Sequence, residues 1–318
     1  MSDAAESGRI RSTRPPKPFV DPWRPLDVVV EDERGSDGRP RASMTVFLAG
    51  SEGPFTCVFC DLWQYTLDEP TPRGAIPRQL EVALESADDP DVIKLYNASN
   101  FFDRNAVPPP DLTAIADQLA GIQQVTVECH PRLVGESAIR FAERIEGKLE
   151  VAMGLETIHP EALARLNKQM NLQDFVKASE LLQANGIGVR AFALLSPPFV
   201  PAPESVDWSL RTVEFAFEHG VDVVSVIPMR GGNGEMERLA ELGLFVPPTL
   251  SMLEETMTRA LLSPRGVVLA DLWDIEKLSA CPTCQEARLL RLQDLNRTGT
   301  VGPAVNCPRC SERNGGEV

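Results

Sequence analysis

Six of the seven cysteines in this chain of 318 residues stand in Cys-x2-Cys pairs, and they carry most of its legible chemistry. The pairs are Cys57-Val-Phe-Cys60, Cys281-Pro-Thr-Cys284 and Cys307-Pro-Arg-Cys310; Cys129 stands alone. Thiolates at this spacing can grip a metal or cycle as a redox pair. Met1 to Pro25 is rich in Arg, Pro and Ser and lacks the apolar run of a secretory signal. Metal or redox sites are therefore expected rather than structural disulfides, in a cytoplasmic setting. The last two pairs are separated by 22 residues, close to the spacing of four-cysteine zinc sites. Cys281, Cys284, Cys307 and Cys310 are expected to close a tetrahedral Zn2+ site, with an auxiliary iron–sulfur cluster or redox pairs as alternatives. On its own, the Cys57–Cys60 pair reads equally as a zinc pair or a thioredoxin-type redox pair.

The elements that must position these residues follow from the apolar pattern. Short apolar runs predict buried strands over Met44–Leu48, Val92–Tyr96, Val125–Cys129, Leu149–Leu155, Val189–Leu195 and Val221–Ile227. Val267–Trp273 is a candidate edge strand. Helices are expected over Pro77–Ser86, Asp111–Leu119, Leu172–Asn185 and Glu204–His219, the last two stopped at Asn185-Gly186 and Gly220. Strands alternating with helices imply an α/β fold with a parallel sheet. Residues 1–41 are expected to form a disordered arm, 42–275 the α/β unit and 276–318 a metal-binding module. The strand ends are marked by polar residues: Asn97-Ala-Ser-Asn100, Glu128-Cys-His130, Glu156-Thr157, Arg190 on the fifth strand, and Met229-Arg-Gly-Gly-Asn-Gly234. Polar groups gathered at the C-terminal ends of parallel strands read as a site.

The stretch Ser51-Glu-Gly-Pro-Phe-Thr-Cys57-Val-Phe-Cys60-Asp-Leu-Trp63 resembles the Cys-x3-Cys-x2-Cys loop of the radical S-adenosylmethionine (SAM) enzymes. Cys57 and Cys60 match the second and third ligand positions, Phe59 the aromatic before the last cysteine, and Gly53 the first ligand position. The resemblance spans roughly Met44 to Asn296. It implies a partial (β/α)6 barrel, a [4Fe–4S] cluster, SAM, and an electron donor such as a flavodoxin or ferredoxin. It also implies that the Asn97–Asn100 region holds the SAM amino group, that Glu156 contacts the nucleoside, that Phe59 packs beside adenine, and that Arg190 joins these contacts. Gly154-Leu-Glu-Thr157, Leu166-Asn-Lys168 and Pro228 to Gly234 are similar to motifs of the branch containing the archaeosine synthase beta subunit, which implies tRNA or other nucleobase modification. Glycine cannot ligate iron, so a third ligand is sought in Cys129, or in Glu52 or His130.

Two other readings stand beside this one. Gly53 could mark a non-catalytic relative acting as a zinc-containing RNA-binding or scaffold subunit, and a third reading is a zinc protein with thiol redox chemistry at Cys57 and Cys60. A formal net charge of −15 argues against a broadly basic nucleic-acid surface. Residues 277–313 are locally basic, with Lys277, Arg288, Arg291, Arg297, Arg309 and Arg313 against Glu286, Asp294 and Glu312. They read as a phosphate-docking face or as a solvated cap. His130, His159 and His219 show no H-E-x-x-H spacing, and Gly231 to Gly234 lacks the Lys-Ser/Thr of a P-loop. No apolar run reaches the ~20 residues of a membrane span.

Overall fold

The computed structural model describes residues 3–86, 90–262, 265–278 and 281–310. Among the described residues eight strands form one sheet in chain order: β1 (Asp27–Arg34), β2 (Pro40–Leu48), β3 (Val92–Asn97), β4 (Gln124–Glu128), β5 (Lys148–Glu156), β6 (Gly188–Leu195), β7 (Val223–Pro228) and β8 (Val267–Ala270). β1 runs antiparallel to β2 and every later pairing is parallel. Among the described residues ten α-helices alternate with the strands: α1 (Asp3–Ser12), α2 (Ala75–Leu84), α3 (Asp111–Gln118), α4 (Glu136–Ala142), α5 (Pro160–Arg165), α6 (Leu172–Ala184), α7 (Ser205–Glu218), α8 (Glu235–Glu241), α9 (Leu250–Leu262) and α10 (Gln285–Thr298). No helix among the described residues is long and apolar enough to cross a membrane.

The sheet curls into a partial barrel. Neighbouring strands lie ~4.8 Å apart, so in a flat sheet β1 and β8 would be separated by roughly 34 Å. Instead the Arg34 guanidinium on β1 donates to the Val268 carbonyl on β8 at 2.8 Å. Glu33 likewise reaches across from β1 to Arg190 on β6 at 2.8 Å and to Lys94 on β3 at 2.8 Å. The outward face of the strands is apolar (Val46, Leu95, Val127, Val151, Ala191, Val226) and packs under the helices. The inward face carries Lys94, Thr126, Glu150, Arg190 and Ser225, with Glu33 from β1, and these charges pair off across the barrel floor. Burial alone would raise the Glu33 carboxyl, but Arg190 and Lys94 hold it down to about 2. Above this floor lies an aromatic layer in which Tyr96 meets Phe47 at 6.4 Å and Phe192 at 6.1 Å, and Trp273 meets Phe47 at 5.2 Å.

Two expectations change. Residues 3–41 are not a disordered arm: Ile10 of α1 is buried against Val58, Met229, Met236 and Phe245, and β1 extends the sheet. The module expected over 276–318 is not separate from the barrel in its described part, because Leu292 and Leu295 of α10 join the main apolar core. α10 lies over the seam between β1 and β8. The Asn296 side chain pairs with the backbone of Ala270 on the free edge of β8, donating at 2.8 Å and accepting at 2.7 Å. Arg34 Nε donates to the Asn296 carbonyl near the end of α10 at 2.5 Å. An exposed strand edge invites pairing with other chains, and here a helix and two side chains cover it.

Candidate functional site

A cavity opens at the C-terminal ends of the parallel strands. The loop after β2 contributes Gly53, Phe55, Cys57, Phe59 and Cys60; the end of β3 contributes Asn97, Ser99 and Asn100. The ends of β4 and β5 contribute Glu128, Cys129, His130, Gly154 and Glu156, and Lys168 enters from the segment between α5 and α6. Phe59, Asn97, Asn100 and Glu156, the expected cofactor contacts, are thus brought together with Cys57 and Cys60. Arg190 is not. It sits near the start of β6, on the barrel floor, where its guanidinium is held by Glu150 at 2.9 Å and Glu33 at 2.8 Å.

Two asparagines from motifs marked in the sequence, Asn167 of Leu166-Asn-Lys168 and Asn233 of the 229–234 turn, fix the backbone of the cysteine loop. Asn233 donates to the carbonyls of Val58 at 2.8 Å and Cys60 at 3.2 Å, while its own carbonyl accepts from Met236 at 2.8 Å at the start of α8. Asn167 donates to the Thr56 carbonyl at 2.7 Å from a left-handed backbone, φ 50°, that asparagine tolerates better than most residues. The Leu166 carbonyl accepts from the Val58 amide at 3.0 Å. The glycine loop 231–234 binds no outside group through its amides at Gly232 and Gly234, which donate to the Glu237 carboxylate at 2.5 and 2.7 Å. It is a helix cap.

Lys168 and Glu156 form a buried ion pair at 2.5 Å. Glu156 sits at an irregularity in the β5–β6 pairing with φ 66°, an unfavourable backbone for glutamate of the kind found at functional sites. The pair lies directly over Gly154, where a Cβ would come within 2.0 Å of the Glu156 carboxylate and 2.4 Å of the Lys168 ammonium. Burial pushes the Cys57 thiol up to about 11, against the pull of Lys168, and the Cys60 thiol up to about 12. A bound metal would reverse this, since coordination deprotonates a thiol.

The three proposed substitutes for a third thiolate are each engaged elsewhere. Cys129 is in the apolar core, its thiol donates to the His130 carbonyl at 3.4 Å, and burial pushes it well above the usual thiol range. The His130 ring stacks on Phe55, its Nδ1 accepts from the Arg132 amide at 3.2 Å, and its Nε2 therefore donates to the Lys168 carbonyl at 2.9 Å. Glu52 pairs with Arg14 at 2.8 Å. Among the described residues no third His, Cys, Asp or Glu joins Cys57 and Cys60 in a metal-sized group.

The residues present nonetheless fit a cofactor carrying polar groups. Among the described residues, both polar atoms of the Asn97 side chain, the Ser99 hydroxyl and the Trp63 indole N–H are buried without hydrogen-bond partners, and all three residues line this cavity. Buried polar atoms are nearly always satisfied, so a concentration of orphans marks a place where a partner belongs. The donors Cys57 and Cys60 beside them are of the type that holds iron–sulfur clusters.

The second group of thiols is complete. Cys281, Cys284, Cys307 and Cys310 place their sulfurs within 4.8 Å of one another, as a four-coordinate metal requires. Arg288 Nε donates to the Cys284 sulfur at 3.2 Å, and Arg288 and Arg291 both pair with the buried Glu254 of α9. These two arginines are therefore spent inside the protein rather than offered to phosphate. Arg313 and Glu312 of the expected basic face lie outside the described residues.

No protein-family profile matches the sequence. The archaeosine synthase beta subunit of Methanosarcina acetivorans is 28% identical over 214 residues, 64% of this chain and 61% of that protein. The Thermococcus kodakarensis archaeosine synthase beta subunit is 29% identical over 52% of this chain and 53% of its own length. The matched stretch thus spans less than two thirds of either relative. Among solved structures, methylornithine synthase superposes with a TM-score of 0.53 at 15% identity, covering 80% of this chain and 69% of that one. A radical SAM methyltransferase from Sphaerobacter thermophilus superposes with a TM-score of 0.50 at 17% identity, covering 79% and 77%. The chain has the curled α/β half-barrel fold of the radical SAM enzymes, carries a four-cysteine cluster at its C-terminal end, and is related in sequence to archaeosine synthase beta subunits.

Proposed function

We propose that this chain is a radical SAM enzyme acting on a nucleobase of tRNA, with an iron–sulfur cluster at Cys57 and Cys60, SAM in the adjoining cavity and Zn2+ at the C-terminal cysteines. The observation that carries it is the set of unpartnered buried polar atoms of Asn97, Ser99 and Trp63 around the same cavity as the two thiols. When bound, the cluster and SAM would supply one-electron cleavage of a carbon–sulfur bond, with the electron delivered by a flavodoxin or ferredoxin.

The chain's own residues bind and orient. Asn97 offers a carbonyl oxygen and an amide to an amino acid's charged groups. Glu156, fixed by Lys168, offers a second carboxylate oxygen to a hydroxyl-bearing ligand. Phe59 presents an aromatic face at the same wall. Asn167 and Asn233 keep the cysteine loop rigid, which limits reorganisation when a metal centre binds. Arg14 lies over the Trp63 ring at 4.8 Å and closes the cavity on the side of α1. At the four-cysteine site, Arg288 offsets thiolate charge and four sulfurs favour Zn2+.

Calorimetric titration of SAM into anaerobically reconstituted protein tests this reading. Binding weakened at least tenfold by Asn97→Ala supports it. A second reading, a non-catalytic scaffold, is favoured by Gly53 and by the absence, among the described residues, of a third His, Cys, Asp or Glu beside Cys57 and Cys60. Protein that takes up neither iron nor SAM would select that reading.

A further inference from the structure

The unfilled corner beside Cys57 and Cys60 has its own candidate. A Cβ built on Gly53 would stand 2.9 Å from the Ser99 hydroxyl and 2.9 Å from the Asn100 amide nitrogen. These two side chains therefore occupy the space a residue-53 side chain would enter. They are not equivalent. Asn100 is already fixed, because its carbonyl accepts from the His130 amide at 2.6 Å, and the nitrogen left facing Gly53 is an amide nitrogen with no lone pair to give a metal. The Ser99 hydroxyl is buried and has no hydrogen-bond partner among the described residues. Ser99 is one of the residues lining the cavity that Cys57 and Cys60 also line.

We propose that Ser99 supplies the third protein ligand to the iron–sulfur centre of this chain, its oxygen replacing the sulfur that Gly53 cannot provide. The inference rests on the cluster reading above. On ligation the hydroxyl gives its proton to solvent and an iron–oxygen bond forms, with no change in oxidation state. This accounts for two observations at once: an orphaned buried hydroxyl on a residue that lines the cavity, and, among the described residues, a thiol pair joined by no third thiol, imidazole or carboxylate. It also assigns Gly53 a reason, since a larger residue there would press on the ligating side chain.

The test uses the full chain, reconstituted anaerobically with 57Fe and sulfide and then desalted. Iron and sulfide are counted and the Mössbauer spectrum is recorded. Losing a ligand is expected to lower iron retention at least about tenfold in Ser99→Ala, as even outer-shell losses do at metal sites. Ser99→Cys should keep the iron, with an altered spectrum at one iron site. Should Ser99→Ala fail to fold, the Ser99→Cys spectrum decides: a change supports ligation and an unchanged spectrum overturns it. Iron content and spectrum unchanged in Ser99→Ala would overturn the inference and leave the cluster reading standing. Wild-type protein that holds no iron while Gly53→Cys does would overturn both.

Discussion

Lys168 and Glu156, twelve residues apart in sequence, meet as a buried ion pair at 2.5 Å above the backbone of Gly154. Removing one partner strands a charge away from water, which costs about 3–5 kcal/mol. Lys168→Met should therefore destabilise the protein by about 3 kcal/mol, whereas Lys168→Met with Glu156→Gln should recover much of that loss. Denaturant unfolding of the two variants checks this; equal losses would mean the pair is not coupled.

Asn233 holds the cysteine loop by two carbonyls and starts α8 with its own. Asn233→Ala leaves those groups buried and unpaired at about 1–3 kcal/mol. The expected outcome is a lower unfolding midpoint together with faster iron release to a chelator. Asn167→Ala should do the same by freeing the Thr56 carbonyl.

Glu128 gives a pH signature. Burial raises its carboxyl from 4.5 to about 8. Between those values the folded chain holds one proton more than the unfolded chain, so this group's contribution is full below 4.5 and is lost as pH rises through about 8. Relative to Glu128→Gln, the wild-type protein should lose about 1.4 kcal/mol per pH unit across that window. Parallel stability profiles for the two proteins would refute the assignment.

The four-cysteine site is expected to act on the barrel through α10. A metal held there would tie Cys284 at the start of the helix to Cys307 and Cys310, and the other end of α10 covers the β1–β8 seam through Asn296 and Arg34. Stripping the metal, or Cys284→Ser, should lower Tm on the order of 5–10 °C. Differential scanning calorimetry with metal analysis checks this, and a Tm independent of metal content would separate the site from the seam.

The parallel strands were legible because each is an apolar run buried on its outer face by helices; predicted and observed bounds of β3 differ by one residue, Tyr96 against Asn97. β1 was not legible. Its sequence Asp-Val-Val-Val-Glu-Asp-Glu-Arg is that of an exposed edge, and the buried role of Glu33 arises only when the sheet curls and brings Arg190 opposite. Arg190 itself could have been placed by counting, since a residue near the start of a parallel strand faces the floor and not the mouth. The site's polar side chains were visible as marked strand ends. Which of them would meet a ligand and which would hold the loop depended on long-range pairings, as Asn167 with Thr56 and Asn233 with Val58, that no local spacing encodes.

The most direct test of the central claim is iron and acid-labile sulfide per chain in anaerobically reconstituted wild-type protein, beside a Cys57→Ser, Cys60→Ser double variant that keeps the four C-terminal cysteines. The account predicts iron and sulfide at the level of one [4Fe–4S] cluster in the wild type, loss of both in the double variant, and zinc in each. Equal iron in the two proteins, or none in either, would contradict it.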